Sequence, residues 1–305
     1  MILGLRALAA LVQVAVVLAF ATCGGAPPAA KTSTGTLLPL GDGKISSAPR
    51  TGYVWSCQTT FNGQGAQGSA PWVSGSGWNP ALKPRVQGDV SWSRAHYSVS
   101  IAGDQRLLKT VDLPVGDGTG VFPISPDDPA YAYDRNPNRI EAQETTLNLP
   151  ATPAPTQSSC LGLGPVGILT DGVFLFDALD ALGRDAVPHE VLDRCDGHPA
   201  PGGVYHHHDV PSCLLAKATG RSTLVGYAFD GFGIYVERDA AGRLLTNSDL
   251  DACHGRTSPV EWDGKTVTVY HYDATAEYPY VIGCYRGAPV STGALAPDSG
   301  ARPGG

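Results

Sequence analysis

The chain has 305 residues, with 21 Lys and Arg against 28 Asp and Glu, a formal net charge of -7 and no basic cluster. Phosphate contacts need a basic surface, so this balance argues against nucleic acid as a partner. Only 16% of residues are charged, while 38 Gly and 25 Pro run through the chain, a composition that favours turns over long solvent-facing helices and predicts a mainly β, loop-rich fold.

Residues 1–23 read MILGLRALAALVQVAVVLAFATC, with one basic residue, Arg6, ahead of an apolar run from Ala7 to Ala21. That run has the length of a signal-peptide core and is short for a spanning helix. Export is therefore expected. Cleavage at Ala19-Phe20-Ala21 would leave Thr22 first and a freely secreted chain. Alternatively, Leu18 to Cys23 has the form of a lipoprotein signal, with residues 1–22 removed, Cys23 acylated and the chain held at the cell envelope by its lipid anchor alone. There are seven cysteines. Setting Cys23 aside leaves an even set of six, Cys57, Cys160, Cys195, Cys213, Cys253 and Cys284, as an oxidising compartment favours. Residues 23–50 are rich in Gly, Pro, Ala, Ser and Thr and read as a disordered tether.

From residue 51 to about 155 the chain reads as strands and turns. Val90 and Trp92, then Tyr97, Val99 and Ile101, alternate with polar residues around Gly-Asp turns. GSAPWVSGSGWNP places Trp72 and Trp78 among glycines, either as aromatics capping the core or as a sugar-binding surface. NPNRIEAQETTLNLP reads as a turn and a short strand, and ATPAPTQSSC as a linker to Cys160. Residues 288–305 carry no periodicity and read as a disordered tail.

Residues 166–213 and 225–284 form an internal repeat. The copies open VGILTDGVFLFDALDALGR and VGYAFDGFGIYVERDAAGR, and Asp171 and Asp230, Asp180 and Asp239, and Arg184 and Arg243 each stand 59 positions apart. LDRCDGH then matches LDACHGR, Tyr205-His206-His207-His208 matches Tyr270-His271-Tyr272-Asp273, and each copy ends in a cysteine. Two copies imply two units packed about an approximate two-fold. Asp180 and Asp239 fit turn chemistry, with Gly at positive φ. The repeat pairs Cys195 with Cys213 and Cys253 with Cys284, leaving Cys57 with Cys160, one of the 15 connectivities open to six cysteines.

These residues resemble the YHYH domain family, exported proteins named for a Tyr-His-Tyr-His motif. The resemblance is carried by DRNPNRIEAQ at 134–143, the CDGH-to-YHHH segment, GYAFDGFGIY, LDACHGR and YPYVIGCYRG; it covers about Trp55 to Gly287, within a YHYH-type domain expected at residues 51–287. His207 stands where the first motif has Tyr, and Asp273 where the second often has His. The family implies the fold and export but no activity.

Alternate residues of a strand share a face, so His206 and His208 project together, as do His271 and Asp273. If the two-fold pairs these strands, His206, His208, His271 and Asp273 converge as a site for a divalent transition metal: Zn, Mn, Fe or Cu. His198 reads as a further ligand or as support for one. Asp193 and Asp251 are candidates to orient imidazoles or to bond turns, and Tyr205 and Tyr270 are candidate acids or bases. Hydrogen-bonded structural histidines are the alternative. Three functions follow: metal sequestration, metal-dependent hydrolysis, or metal-free binding of an envelope glycan or protein. Four protein ligands would favour the first, and three ligands beside a groove the second. No serine-nucleophile elbow, phosphate loop or dinucleotide fingerprint is present.

Overall fold

Short runs of β-branched and aromatic residues between Asp- and Gly-containing turns set the architecture. The computed structural model describes residues 37–291, apart from 64 and 67. Its first strands are β1 (Leu38–Pro39), β2 (Ile45–Ser46), β3 (Val54–Trp55), β4 (Val73–Ser74) and β5 (Gly77–Trp78), arranged in two small sheets, β1-β5-β4 and β2-β3. An antiparallel sheet of β6 (Tyr97–Ala102), β7 (Gln105–Thr110) and β8 (Thr145–Pro150) follows. The remaining strands are β9 (Pro165–Leu169), β10 (Phe174–Phe176), β11 (Gly197–Pro199), β12 (Tyr205–His207), β13 (Ser222–Ala228), β14 (Gly233–Glu237), β15 (Gly255–Trp262) and β16 (Lys265–Asp273). They make one eight-stranded sheet, ordered β11-β12-β10-β9-β13-β14-β16-β15.

Read outward from its centre, this sheet runs β9-β10-β12-β11 on one side and β13-β14-β16-β15 on the other. On both sides the pairings are antiparallel, parallel and antiparallel in turn. At the centre β9 and β13 pair antiparallel, with Ile168 opposite Tyr227, Gly167 opposite Ala228 and Leu169 opposite Gly226. An antiparallel pair has local two-fold geometry, and Ile168 and Tyr227 stand 59 positions apart, the offset of the two sequence copies. The central strands are also the core: Ile168, Leu169, Ala228 and Ile234 are fully buried.

All six cysteines are bonded, as Cys57–Cys160, Cys195–Cys213 and Cys253–Cys284. The first closes a separation of 103 residues. In the chain-entropy picture a loop of that length contributes about 4.7 kcal/mol.

Two expectations change, and one alternative is decided. The tether cannot run to residue 50, because β1 and β2 lie within it. There the Gly41 amide donates to Asp185 and the Asp42 carboxylate meets His189 at 2.8 Å. Residues 23–36 and 292–305, with the signal segment and Cys23, lie outside the described residues. The tail starts later than 288, since the Val290 amide donates to the Phe229 carbonyl. Trp72 and Trp78 are buried, and the Trp72 indole donates to the Pro188 carbonyl, so these aromatics cap the core and form no open surface. Among the described residues no helix is long and apolar enough to cross a membrane.

Candidate metal centre

The Asp-x-Cys-x-Gly segments build matched turns. In the first, Asp193 Oδ1 accepts the amides of Cys195 and Gly197, and Asp193 Oδ2 accepts the Tyr205 hydroxyl at 2.8 Å. In the second, Asp251 Oδ1 accepts the amides of Cys253 and Gly255 and the Tyr270 hydroxyl at 3.1 Å. Each tyrosine ring lies over the turn glycine, where any Cβ would collide with it. On the same strand faces, His207 Nε2 meets Asp171 Oδ2 at 3.3 Å, and the Tyr272 hydroxyl donates to Asp230 at 2.6 Å. His207 in place of tyrosine therefore keeps a donor to the carboxylate of the Asp-Gly turn. Asp193, Asp251, Tyr205 and Tyr270 brace turns; their side chains bond to turn amides and to each other, Asp193 Oδ2 also accepts the Gly120 amide at 2.8 Å, and none of these bonds is to an imidazole.

The opposite face of β12 carries His206 and His208. His206 Nδ1 faces the Val204 carbonyl at 3.1 Å, and His208 Nδ1 faces the Asp177 carbonyl at 2.6 Å. A carbonyl only accepts, so both Nδ1 atoms carry protons and both Nε2 atoms turn inward. Those two Nε2 atoms are 3.2 Å apart. His198, opposite His206 on β11, brings its Nε2 to 3.4 Å from that of His208. The three ligand atoms all lie within 4.8 Å of one another, and all three side chains are buried. Phe176 stacks on His206 with ring centroids 3.8 Å apart and locks its plane.

Glu190 completes the group. Its Oε2 lies 3.0 Å from His198 Nε2 and 3.2 Å from His208 Nε2. Burial alone would raise its pKa, but attraction to His198 and hydrogen bonds from His198 and His208 win and hold it well below the usual carboxylate range. Burial, with His198 and His208 alongside, pushes His206 well below its ordinary value, so it is neutral and free to donate a lone pair. A cavity of about 410 Å³ opens on this group, lined by His198, His206, His208 and Glu190 and by Asn136, Arg135 and Leu163 among others. Asn136 Nδ2 reaches His198 Nδ1 at 3.5 Å and donates to the Pro199 carbonyl at 2.9 Å.

His271 and Asp273 are elsewhere. Four strands separate β12 from β16, five strand spacings or about 24 Å. The expected convergence of His206, His208, His271 and Asp273 does not occur, because β9 and β13 pair at the centre of the sheet and the motif strands lie on opposite flanks. The structure forms two groups instead. In the second, His271 Nε2 lies 3.4 Å from Glu237 Oε2 and 3.6 Å from Asp273 Oδ2, with Arg256 bonded to Glu237.

Glu190, Glu237, Arg256 and Asn136 were not singled out from sequence. Glu190 and Glu237 have no acidic counterpart in the other copy, where Ser248 and Ala178 stand, so comparison of the copies hides them. Asn136 lies within DRNPNRIEAQ, the one signal that pointed to it. His254 is buried and bonded to Thr275, its pKa pushed down to about 3 by burial; it is structural. Asp180 and Asp239 accept the amides of Arg184 and Arg243, as turn residues do.

The family model described as YHYH protein matches residues 146–244. The matched span contains Glu190 and all three histidines of the first group and ends before Arg256, His271 and Asp273. No curated protein and no solved structure matches the chain.

Proposed function

A YHYH domain occupies residues 146–244 of this chain, and from that premise we propose an exported metalloprotein that holds one divalent transition-metal ion on His198, His206 and His208. The observation that carries this reading is the pair of inward Nε2 atoms of His206 and His208, 3.2 Å apart. Nitrogens this close need a proton or a cation between them, and the neutral His206 offers its lone pair to either. An ion bonded tetrahedrally to imidazoles at 2.0–2.1 Å needs nitrogens about 3.3 Å apart, and the separations of 3.2 and 3.4 Å fit that need. The donors suit Zn, Mn, Fe or Cu.

His198, His206 and His208 would hold the ion, which would then raise the acidity of a water bound to it. Glu190, 3.0 Å from His198 and 3.2 Å from His208, would be the residue to take a proton from that water. This favours metal-dependent hydrolysis over sequestration, since a closed site has no use for a cavity. A metal-free glycan site is disfavoured by the burial of Trp72 and Trp78. The signal segment at 1–22 and an acylated Cys23 would place the chain at the cell envelope, and intact-mass analysis of the exported protein reads that directly.

Elemental analysis after zinc loading tests the site. The wild type is expected to carry one ion per chain through His198, His206 and His208, and the folded His206→Ala/His208→Ala variant to carry none there. A Glu190→Gln variant is expected to keep its ion and to lose about 10²-fold or more in turnover of ester, peptide or phosphoester reporters. A wild type that takes up no ion after reconstitution would show that the histidines are structural.

A further inference from the structure

We propose that the group on the other flank of the sheet is a second cation site in which the guanidinium of Arg256 is the resident cation. The first site serves only as the template. On β11 and β12 His198 pairs with His206, and on β15 and β16 Arg256 pairs with His271. The neighbouring registers agree, with Leu175 opposite His207 and Ile234 opposite Tyr272. Arg256 therefore stands where His198 stands, His271 where His206 stands, and Asp273 where His208 stands. The tautomer device recurs as well, since His271 Nδ1 faces the Val269 carbonyl at 3.0 Å and turns Nε2 inward.

The donor atoms are those of a metal site. One atom each from Glu237, His271 and Asp273 lies within 4.8 Å of the others, and all three residues are buried. Asp273 is completely buried, and neither of its carboxylate oxygens has a hydrogen-bond partner. Its neighbours stand off, His271 Nε2 at 3.6 Å and Arg256 Nε at 3.8 Å. A buried carboxylate left this way is aimed at a cation. Arg256 fills that role from one side: its Nε lies 2.8 Å from Glu237 Oε2, and its Nη2 is bonded to the same oxygen. Arg256 is also one-third exposed, so its side chain enters from the rim while the carboxylates stay inside.

The two flanks thus solve one electrostatic problem in two ways. One needs an ion from solution; the other carries its cation covalently and stays neutralised when metal is scarce. With Arg256 removed, the site would present two carboxylates and an imidazole, a harder donor set than three imidazoles, suited to Zn and Mn.

Zinc titration in a His206→Ala/His208→Ala background tests this apart from the first site. That background is expected to bind no zinc. Adding Arg256→His is expected to create one zinc site per chain, which a further Asp273→Asn change abolishes. Arg256→Lys, which keeps the cation, is expected to stay zinc-free. Where Arg256→His folds poorly, Arg256→Gln supplies a second measurement: its Tm is expected to fall and zinc to restore it. Zinc bound by the background with Arg256 in place, and lost on Asp273→Asn, would overturn the proposal by showing an ordinary metal site. So would an Arg256→His chain that folds without taking up zinc, or an Arg256→Gln chain that zinc does not rescue. None of these results bears on whether the wild type loads His198, His206 and His208.

Discussion

The motif residues divide their work by strand face. Tyr205 and Tyr270 hold Asp193 and Asp251, the carboxylates that close the two cysteine turns, while His207 and Tyr272 face the Asp-Gly turns. The imidazoles of His206 and His271 point the other way, each fixed at Nδ1 by a backbone carbonyl. A Tyr205→Phe variant leaves Asp193 with its amide donors and without a hydroxyl. It is expected to lose about 1 kcal/mol in chemical denaturation, the net worth of one hydrogen bond, since the Gly120 amide still donates to the same oxygen. Its metal content is expected to be unchanged, and a folded variant that loses its ion would show that the tyrosine serves the metal. Strand alternation made this division legible, since it follows from period two alone. Glu190 was not legible, because nothing in HEVLDRC distinguishes a pocket carboxylate from a turn residue until β11 and β12 bring His198 and His208 against it.

Elements decide where those faces end up. The matched segments suggested the disulfide pairs that the structure forms. They did not reveal which strands meet at the centre of the sheet. Pairing β9 with β13 buries two apolar strands at the centre of the sheet, the arrangement that removes most hydrocarbon from water. The histidine strands are then left on opposite flanks. Elsewhere, Arg106 on β7 fastens the β15–β16 hairpin. Its guanidinium is buried, bonds both oxygens of Asp263 at 2.9 and 2.8 Å, and lies 4.4 Å from the Trp262 ring and 4.7 Å from the Tyr227 ring. An ammonium cannot reproduce the planar fork or the stacking, so Arg106→Lys is expected to cost about 1–3 kcal/mol. An unchanged denaturation midpoint would show that the hairpin does not depend on Arg106.

At the scale of the whole molecule, buried carboxylates make stability depend on pH. Burial raises Asp185 from its ordinary 3.8 to about 7, against the lowering effect of hydrogen bonds from Tyr280 and Gly41. Between those values the folded chain holds a proton that the unfolded chain has released. Stability from this group therefore falls as pH rises from 3.8 towards about 7 and is level above it. Asp185→Asn is expected to flatten that part of the profile of the metal-free protein, and an unaltered slope would contradict the assignment. The central claim is that three imidazoles gather one ion at the cavity. X-ray absorption on the zinc-loaded chain reads the ion's surroundings directly. The account predicts three imidazole nitrogens at about 2.0 Å with a light oxygen neighbour and no sulfur, and loss of the imidazole signal in His206→Ala/His208→Ala. A spectrum with sulfur at about 2.3 Å, or with oxygen neighbours alone, would contradict it.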